Sequence, residues 1–253
     1  MHPRIFGIIK SYGLLLAISF LLGTWLSVRR GRRHGIVADT ILDVVFAVLI
    51  ASIIGVRVVY VATHLAEFDP WYRVFFIWDG GLTLYGGIAA AIAAVWWLAR
   101  RRGIPFLRIA DILAPGVALG IGITRIGCFL AGCCFGRPTG GSLGVVFPAG
   151  SPAWRCYGAG VAVQPSQIYS SLGGFAIFVL LLIWERRSAP LGATFFRFLL
   201  LYGVQRFLVD FTRHYAVDQI WGGLSNNQWV SVGLILLGTI ALLRIHRGDV
   251  AGG

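Results

Sequence analysis

Two stretches of this sequence place polar, reactive side chains inside apolar surroundings. The first is Thr124-Arg-Ile-Gly-Cys-Phe-Leu-Ala-Gly-Cys-Cys-Phe-Gly-Arg-Pro-Thr139. Arg125 ends a long apolar run, and Cys128, Cys133 and Cys134 follow it closely. A guanidinium at membrane depth costs about 2.5–3.5 kcal/mol on insertion scales, so it needs a partner or a task. The task it suits is holding phosphate, because its planar fork matches phosphate oxygens and keeps its charge at depth. The second stretch carries Tyr202, Arg206 and Asp210, four residues apart, with Arg213 near the next turn. At 3.6 residues per turn these share one helix face. In a membrane that face must meet protein or water. It reads as an ion pair locking two helices or as part of the same phosphate site. A third intramembrane arginine, Arg57, reads as snorkelling, ion-paired or phosphate-holding.

The cysteines leave several chemistries open. Cys128, Cys133, Cys134 and Cys156 all map to the outer membrane edge or beyond it. An oxidising compartment permits disulfides there, and spacing does not select a pairing. A structural disulfide, free thiols in close packing, and a reactive thiol ionised with help from Arg125 all fit. The C-x4-C-C spacing departs from zinc-ribbon patterns, so no metal or other cofactor is expected. His2, His34, His64, His214 and His246 fall in loops or at the termini, which argues against histidine chemistry. The glycine pairs of Gly80-Gly81-Leu-Thr-Leu-Tyr85-Gly86-Gly87 allow close backbone approach where the chain re-enters the membrane.

The elements that must position these residues are membrane helices. The chain has 253 residues, 57% of them hydrophobic and 13% charged, with a mean hydropathy of +0.79. Soluble domains carry about 25% charged residues. Seven apolar blocks run over 12–28, 41–63, 82–99, 109–131, 167–184, 194–211 and 229–243. The net charge of +12 lies in short runs at block ends, among them Arg29-Arg30-Gly31-Arg32-Arg33, Arg100-Arg101-Arg102 and Arg186-Arg187. That distribution marks cytoplasmic loops facing anionic headgroups and argues against nucleic acid. Block 12–28 has no small-residue cleavage site after it and reads as a retained span, not a signal peptide. The expected fold is an all-α integral membrane protein: one domain over 1–253, about seven transmembrane helices, the N-terminus periplasmic and the C-terminus cytoplasmic. Residues 132–166, rich in Gly, Pro, Trp and Tyr, form a small periplasmic cap with little regular helix. Tryptophans 71, 78, 154, 221 and 229 sit near the outer boundaries.

The order of motifs resembles the prolipoprotein diacylglyceryl transferase family of bacterial inner membranes. The resemblance runs through Ser11-Tyr12-Gly13-Leu14, Asp79 to Gly87, Arg125 to Thr139, Gln164-Pro-Ser-Gln-Ile-Tyr169, Tyr202 to Asp210, and Gly223-Leu-Ser-Asn-Asn-Gln228-Trp229. It implies seven spans and transfer of a diacylglyceryl group from phosphatidylglycerol to a prolipoprotein (lipobox) cysteine thiol, with release of glycerol phosphate. It further implies that Arg125 and Arg206 hold the phosphate. Gly136, Tyr12 and Tyr202 match residues of the lipid site, and Asp210 stands where the family has glutamate. Cys128 replaces the family's asparagine, Cys133 its glutamate, Tyr85 a histidine and Gln164 another histidine. On the transferase reading, thiolate and tyrosine take over from carboxylate and imidazole. Two other readings follow from the same substitutions: a member redirected to thiol or redox chemistry at the outer membrane face, and a phospholipid-binding protein without turnover.

Overall fold

The computed structural model describes residues 4–5, 9–65, 84–185, 189–215 and 220–251. A short antiparallel pair, β1 (Arg4–Ile5) with β2 (Ile9–Lys10), leads into α1 (Ser11–Arg33). Then come α2 (Ala38–Thr63), α3 (Leu84–Arg101) and α4 (Phe106–Ala131). Next come β3 (Val145–Val146), the short α5 (Pro152–Tyr157) and β4 (Ala162–Val163). The chain continues through α6 (Ser166–Glu185), α7 (Ala193–Asp210), the hairpin β5 (Ile220–Trp221) and β6 (Leu224–Ser225), and α8 (Asn226–Ala251).

Each apolar block thus becomes a helix. Five of them, α1, α2, α4, α6 and α8, are long and apolar enough to cross a membrane. The other two fall short for a reason visible in their residues. Arg197, Arg206 and Asp210 interrupt α7, and Arg100 and Arg101 close α3. Beside a buried apolar core, many large apolar side chains face outward and several small polar ones face inward. Leu21, Trp25, Ile50, Ile54 and Val58 are exposed, while Ser19, Ser27, Ser170, Ser171, Thr194 and Ser231 are buried. Small polar residues between helices and large apolar ones outside them are what a lipid surround selects.

The chain divides into two compact units, residues 27–112 and residues 1–26 with 113–253. In the first, α2 and α3 run antiparallel, with Gly55 against Gly86 and Asp43 bonded to Arg102. A Cβ on either glycine would strike the other's carbonyl oxygen, so only glycine permits this approach. The arginines counted above as a loop cluster are helical here, because α1 continues to Arg33. Arg30 is buried and donates to the carbonyls of Asp111 (2.9 Å) and Ile112 (3.0 Å). The Asp111 carbonyl needs this donor, because Pro115, four residues on in α4, has no N–H to offer it.

In the second unit, Ala114 and Ala118 of α4 pack with Ile177 and Leu181 of α6 and Phe198 of α7. The Ser171 hydroxyl donates to the Gly122 carbonyl at 2.8 Å, fixing α6 on α4. Thr124 donates to Ser19 at 3.2 Å, fixing α4 on α1. Residues 132–165 hold little regular helix, as the sequence suggests. Phe147, Ala153 and Val163 form their own small core under β3, α5 and β4. Ser151 starts α5 by accepting from the Trp154 N–H at 3.2 Å, with Pro152 in the first helical position.

Candidate active site

The thiols meet because of how α4 ends. Gly132 has φ 71, its N–H bonds to Phe129 O (3.1 Å), and the Cys133 N–H bonds back to Cys128 O (3.1 Å). These two bonds form a Schellman cap, which folds the residue after the glycine onto the one five positions earlier. Cys133 therefore lies over Cys128, and its thiol approaches the Cys128 carbonyl at 3.7 Å. Cys134 then adopts φ 57, the one non-glycine left-handed backbone among the described residues. That turn brings its side chain to the same place. The three sulfurs lie within 4.8 Å of one another and none is in a disulfide. Gln167 of α6 holds the turn by donating to the Cys133 carbonyl at 2.7 Å.

Arg125, one turn before Cys128, lies beside the Cys134 thiol and Tyr202. Tyr12 of α1 packs on Gly127, where an added Cβ would sit 3.3 Å from the Tyr12 Cα. The thiols of Cys128 and Cys133 hydrogen-bond the Cys134 sulfur, with the cations of Arg213 and Arg125 near it. Together these hold the Cys134 thiol well below the usual range, against the opposing effect of burial. Cys133 moves the other way, because its proton is engaged by the sulfurs of Cys128 and Cys134 and because it is partly buried.

A second polar cluster lies at the end of α7. Asp210 is fully buried and ion-paired with Arg206 at 2.8 Å, without an aligned hydrogen bond from that nitrogen. The second Arg206 amino group donates to the Tyr215 hydroxyl at 3.0 Å, and Tyr215 donates to Asp210 at 2.6 Å. Burial and this bond raise the Tyr215 pKa, so the phenol keeps its proton. Ser225 donates to the other Asp210 oxygen, and Asn227 donates to Tyr215 at 3.1 Å. Ser225 also caps α8 in a capping box, accepting from Gln228 N–H while Gln228 Oε1 accepts from Ser225 N–H.

Arg213 joins the clusters. It acts on the Cys134 thiol and lies 5.8 Å from the Tyr215 ring centre. Its position follows from backbone pairing between Gly136 and Arg213. The Arg137 N–H donates to Thr212 O at 2.9 Å, and the Arg137 side chain to Arg213 O at 3.0 Å. Gly136 is required there: a Cβ would lie 2.5–2.6 Å from Ser166 Oγ, Thr212 O and Gln164 O.

The structure therefore brings Arg125, Cys128, Cys133, Tyr12 and Tyr202 together, with Arg206, Asp210 and Gly136 alongside. Tyr85 belongs to the other unit, in the first turn of α3, and is about half exposed. Asp79 to Thr83, including Gly80 and Gly81, lie outside the described residues, as do Trp71, Trp78 and His2. The alternatives for Arg57 narrow in one respect: it is buried in α2. One histidine differs in placement from the sequence reading, and another in its contacts. His246 lies within α8, which runs on to Ala251. His214 is in a loop as expected but is engaged, hydrogen-bonded to the Tyr157 hydroxyl at 2.6 Å and stacked on Phe135. Sequence reasoning placed Cys134 among the thiols and Arg213 beside the α7 stripe, but missed Tyr215, Ser225 and Gln167 as parts of the site. Two signals of the site's geometry were available: the glycine before Cys133, which marks a Schellman cap, and the Ser225-x-x-Gln228 capping box.

This arrangement of arginines around thiols, with a partly buried Tyr–Asp–Arg network beside it, occurs in a chain whose relatives are consistent. A family model described as prolipoprotein diacylglyceryl transferase matches residues 4–244. The phosphatidylglycerol–prolipoprotein diacylglyceryl transferase of Pseudoalteromonas atlantica is 36% identical over 269 residues, covering 99% of this chain and 92% of its own. Phosphatidylglycerol–prolipoprotein diacylglyceryl transferase 2 of Clostridium perfringens is 33% identical over 247 residues, covering 96% and 94%. The Geobacter sulfurreducens enzyme of the same name is 33% identical over 246 residues, covering 94% and 92%. With a family match over residues 4–244 and relatives matching nearly end to end, the chain belongs to the prolipoprotein diacylglyceryl transferase family.

Proposed function

We propose that this protein transfers a diacylglyceryl group from phosphatidylglycerol to the cysteine thiol of a prolipoprotein, in the inner membrane of a bacterium. The observation that carries this is the retained pair of arginines: Arg125 beside the thiols and Tyr202, and Arg206 held by Asp210 and Tyr215. Both lie within the family match. Arg125 and Arg206 hold the phosphate and offset the charge that grows on the leaving oxygen. Gly136, Tyr12, Tyr202 and Cys128 line the headgroup and glycerol region. Asp210 keeps Arg206 in place, and Cys133 and Tyr85 occupy the positions of proton-handling groups. The chain crosses the membrane seven times as one domain, with α3 and α7 included and the N-terminus outside. The basic clusters at the ends of α1 and α3 support that orientation. Residues 132–166 form the outer cap, where the acceptor arrives.

The test is labelling of a lipobox peptide by purified protein in phosphatidylglycerol vesicles, with complementation of a transferase-depleted strain in parallel. The native protein labels the peptide and restores growth. Arg125→Ala lowers the rate by about 10²–10³-fold, the usual loss for one preorganised donor to a developing oxyanion. Phosphatidylglycerol binding without labelling, beside an active relative, overturns the proposal and selects the non-catalytic lipid-binding reading.

A further inference from the structure

The thiol cluster is more organised than lipid binding requires. Three sulfurs from one cap lie within 4.8 Å of one another. One of them depends on a left-handed cysteine backbone that L side chains seldom adopt. Cys133 is acted on by the other two thiols, and Cys134 by those thiols together with the guanidiniums of Arg213 and Arg125.

We propose that Cys128, Cys133 and Cys134 form a three-thiolate site for a thiophilic dication of the zinc type, with the fourth position taking the acceptor's cysteine thiol. The role of the fourth position rests on the transferase reading; the metal site does not. Zinc–sulfur bonds of about 2.3 Å in a tetrahedron put the sulfurs about 3.8 Å apart. The observed spacing is at most about 1 Å wider, within small side-chain rotations. Three protein ligands with a fourth position for substrate is the pattern of catalytic zinc, as opposed to closed structural zinc. Cys128 is buried while Cys133 and Cys134 are only partly so, which leaves the cluster approachable from one side. The charges also close. A dication with four thiolates carries two negative charges, and Arg125 and Arg213 supply two positive ones.

Coordination removes the proton from the acceptor thiol, which passes to solvent. The bound sulfur attacks the glycerol carbon that bears the phosphate. The C–S bond forms as the C–O bond breaks, and its electron pair leaves with glycerol phosphate against the arginines. The product is an uncharged thioether, a weaker ligand than the thiolate, so it departs.

Cobalt(II) is the probe, added under argon to metal-stripped, reduced full-length protein in detergent. We expect one cobalt per chain, with a sulfur-to-cobalt charge-transfer band. Cys128→Ser, Cys133→Ser and Cys134→Ser each weaken or lose the band, and Cys156→Ser keeps it. A lipobox peptide shifts the band, and the same peptide with alanine for cysteine does not. Absence of a saturable band in the native protein overturns the site, a reading that needs no variant to fold. So does a band that survives all three substitutions. Rapid formation of a disulfide among the three thiols that excludes cobalt also overturns it. Transfer at the full rate by metal-stripped protein removes the fourth-position role while leaving the transferase reading intact. A shifting cobalt band with no transfer under any metal does the reverse.

Discussion

Arg30 and Arg206 are both arginines held inside helical structure, and they are held in opposite ways. Arg30 donates to two backbone carbonyls, one left without its helical partner by Pro115. Backbone carbonyls are fixed in place and cannot ionise. Arg206 is matched by the buried carboxylate of Asp210 and by the Tyr215 hydroxyl, which Asn227 also contacts. Arg125 goes further, with ionisable thiols among its neighbours. Arg30 is the most deeply buried of the three, yet its partners are structural, so burial does not mark function. What separates them is whether the partners are structural groups with no alternative state or groups that can exchange protons or give way to a phosphate.

The largest expected effect tests the structural arginine. Arg30→Met leaves the buried Asp111 carbonyl without this donor, at about 1–3 kcal/mol, and removes a charge-assisted bond to Ile112, at about 1.5–3 kcal/mol. The protein should melt at a clearly lower temperature in detergent, while labelling per folded molecule stays near native. Arg125→Ala should give the opposite pattern, with little change in melting and a large loss of rate. If Arg30→Met abolishes turnover in protein that is still folded, the distinction fails.

Much of this arrangement could be read from residue order, and the rest fails for identifiable reasons. All seven apolar blocks became helices because long apolar runs have few alternatives in lipid. The Tyr202–Arg206–Asp210 stripe was visible in helical periodicity, and the Arg206–Asp210 pair exists. Tyr215 and Ser225 were not visible as its partners, because they reach Asp210 through a turn and a hairpin that periodicity does not describe. Arg30 looked like one more cytoplasmic charge because an arginine run says nothing about where its helix ends. The thiols were the hardest case. Spacing alone left pairing, packing and reactivity open, and proximity depended on a Schellman cap followed by one left-handed cysteine.

Asp210→Asn comes next in size. It keeps the shape of the Tyr215 and Ser225 contacts but leaves the partly buried Arg206 without a counter-charge. Removing one member of a buried pair costs about 3–5 kcal/mol, and the retained amide contacts place this substitution at the lower end. Stability and phosphatidylglycerol turnover should fall together, unlike either Arg30→Met or Arg125→Ala. Asp210→Glu should recover part of both. Ser225→Ala is milder, at about 1 kcal/mol for the lost cap of α8. An Asp210→Asn protein of native stability and native rate would show that the Arg206 network contributes to neither.

The smallest effect is a pH profile, and it asks whether the arginines act on the thiols as the geometry implies. A Cys134 pKa held below the usual range means that thiolate persists as the pH falls. Iodoacetamide labelling at Cys134, followed by peptide mass, should stay nearly flat from about pH 9 down to pH 7. A free thiol such as glutathione loses most of its thiolate over that interval, with a pKa near about 8.5. Cys133, shifted the other way, should label more slowly than Cys134 throughout. Arg213→Gln removes one nearby cation, so the Cys134 profile should begin to fall with decreasing pH. A native Cys134 profile that tracks glutathione would mean that neither the thiol hydrogen bonds nor the guanidiniums hold its charge. Arg125 would then resemble Arg30 more closely than its neighbours suggest, a buried cation whose surroundings only accommodate it.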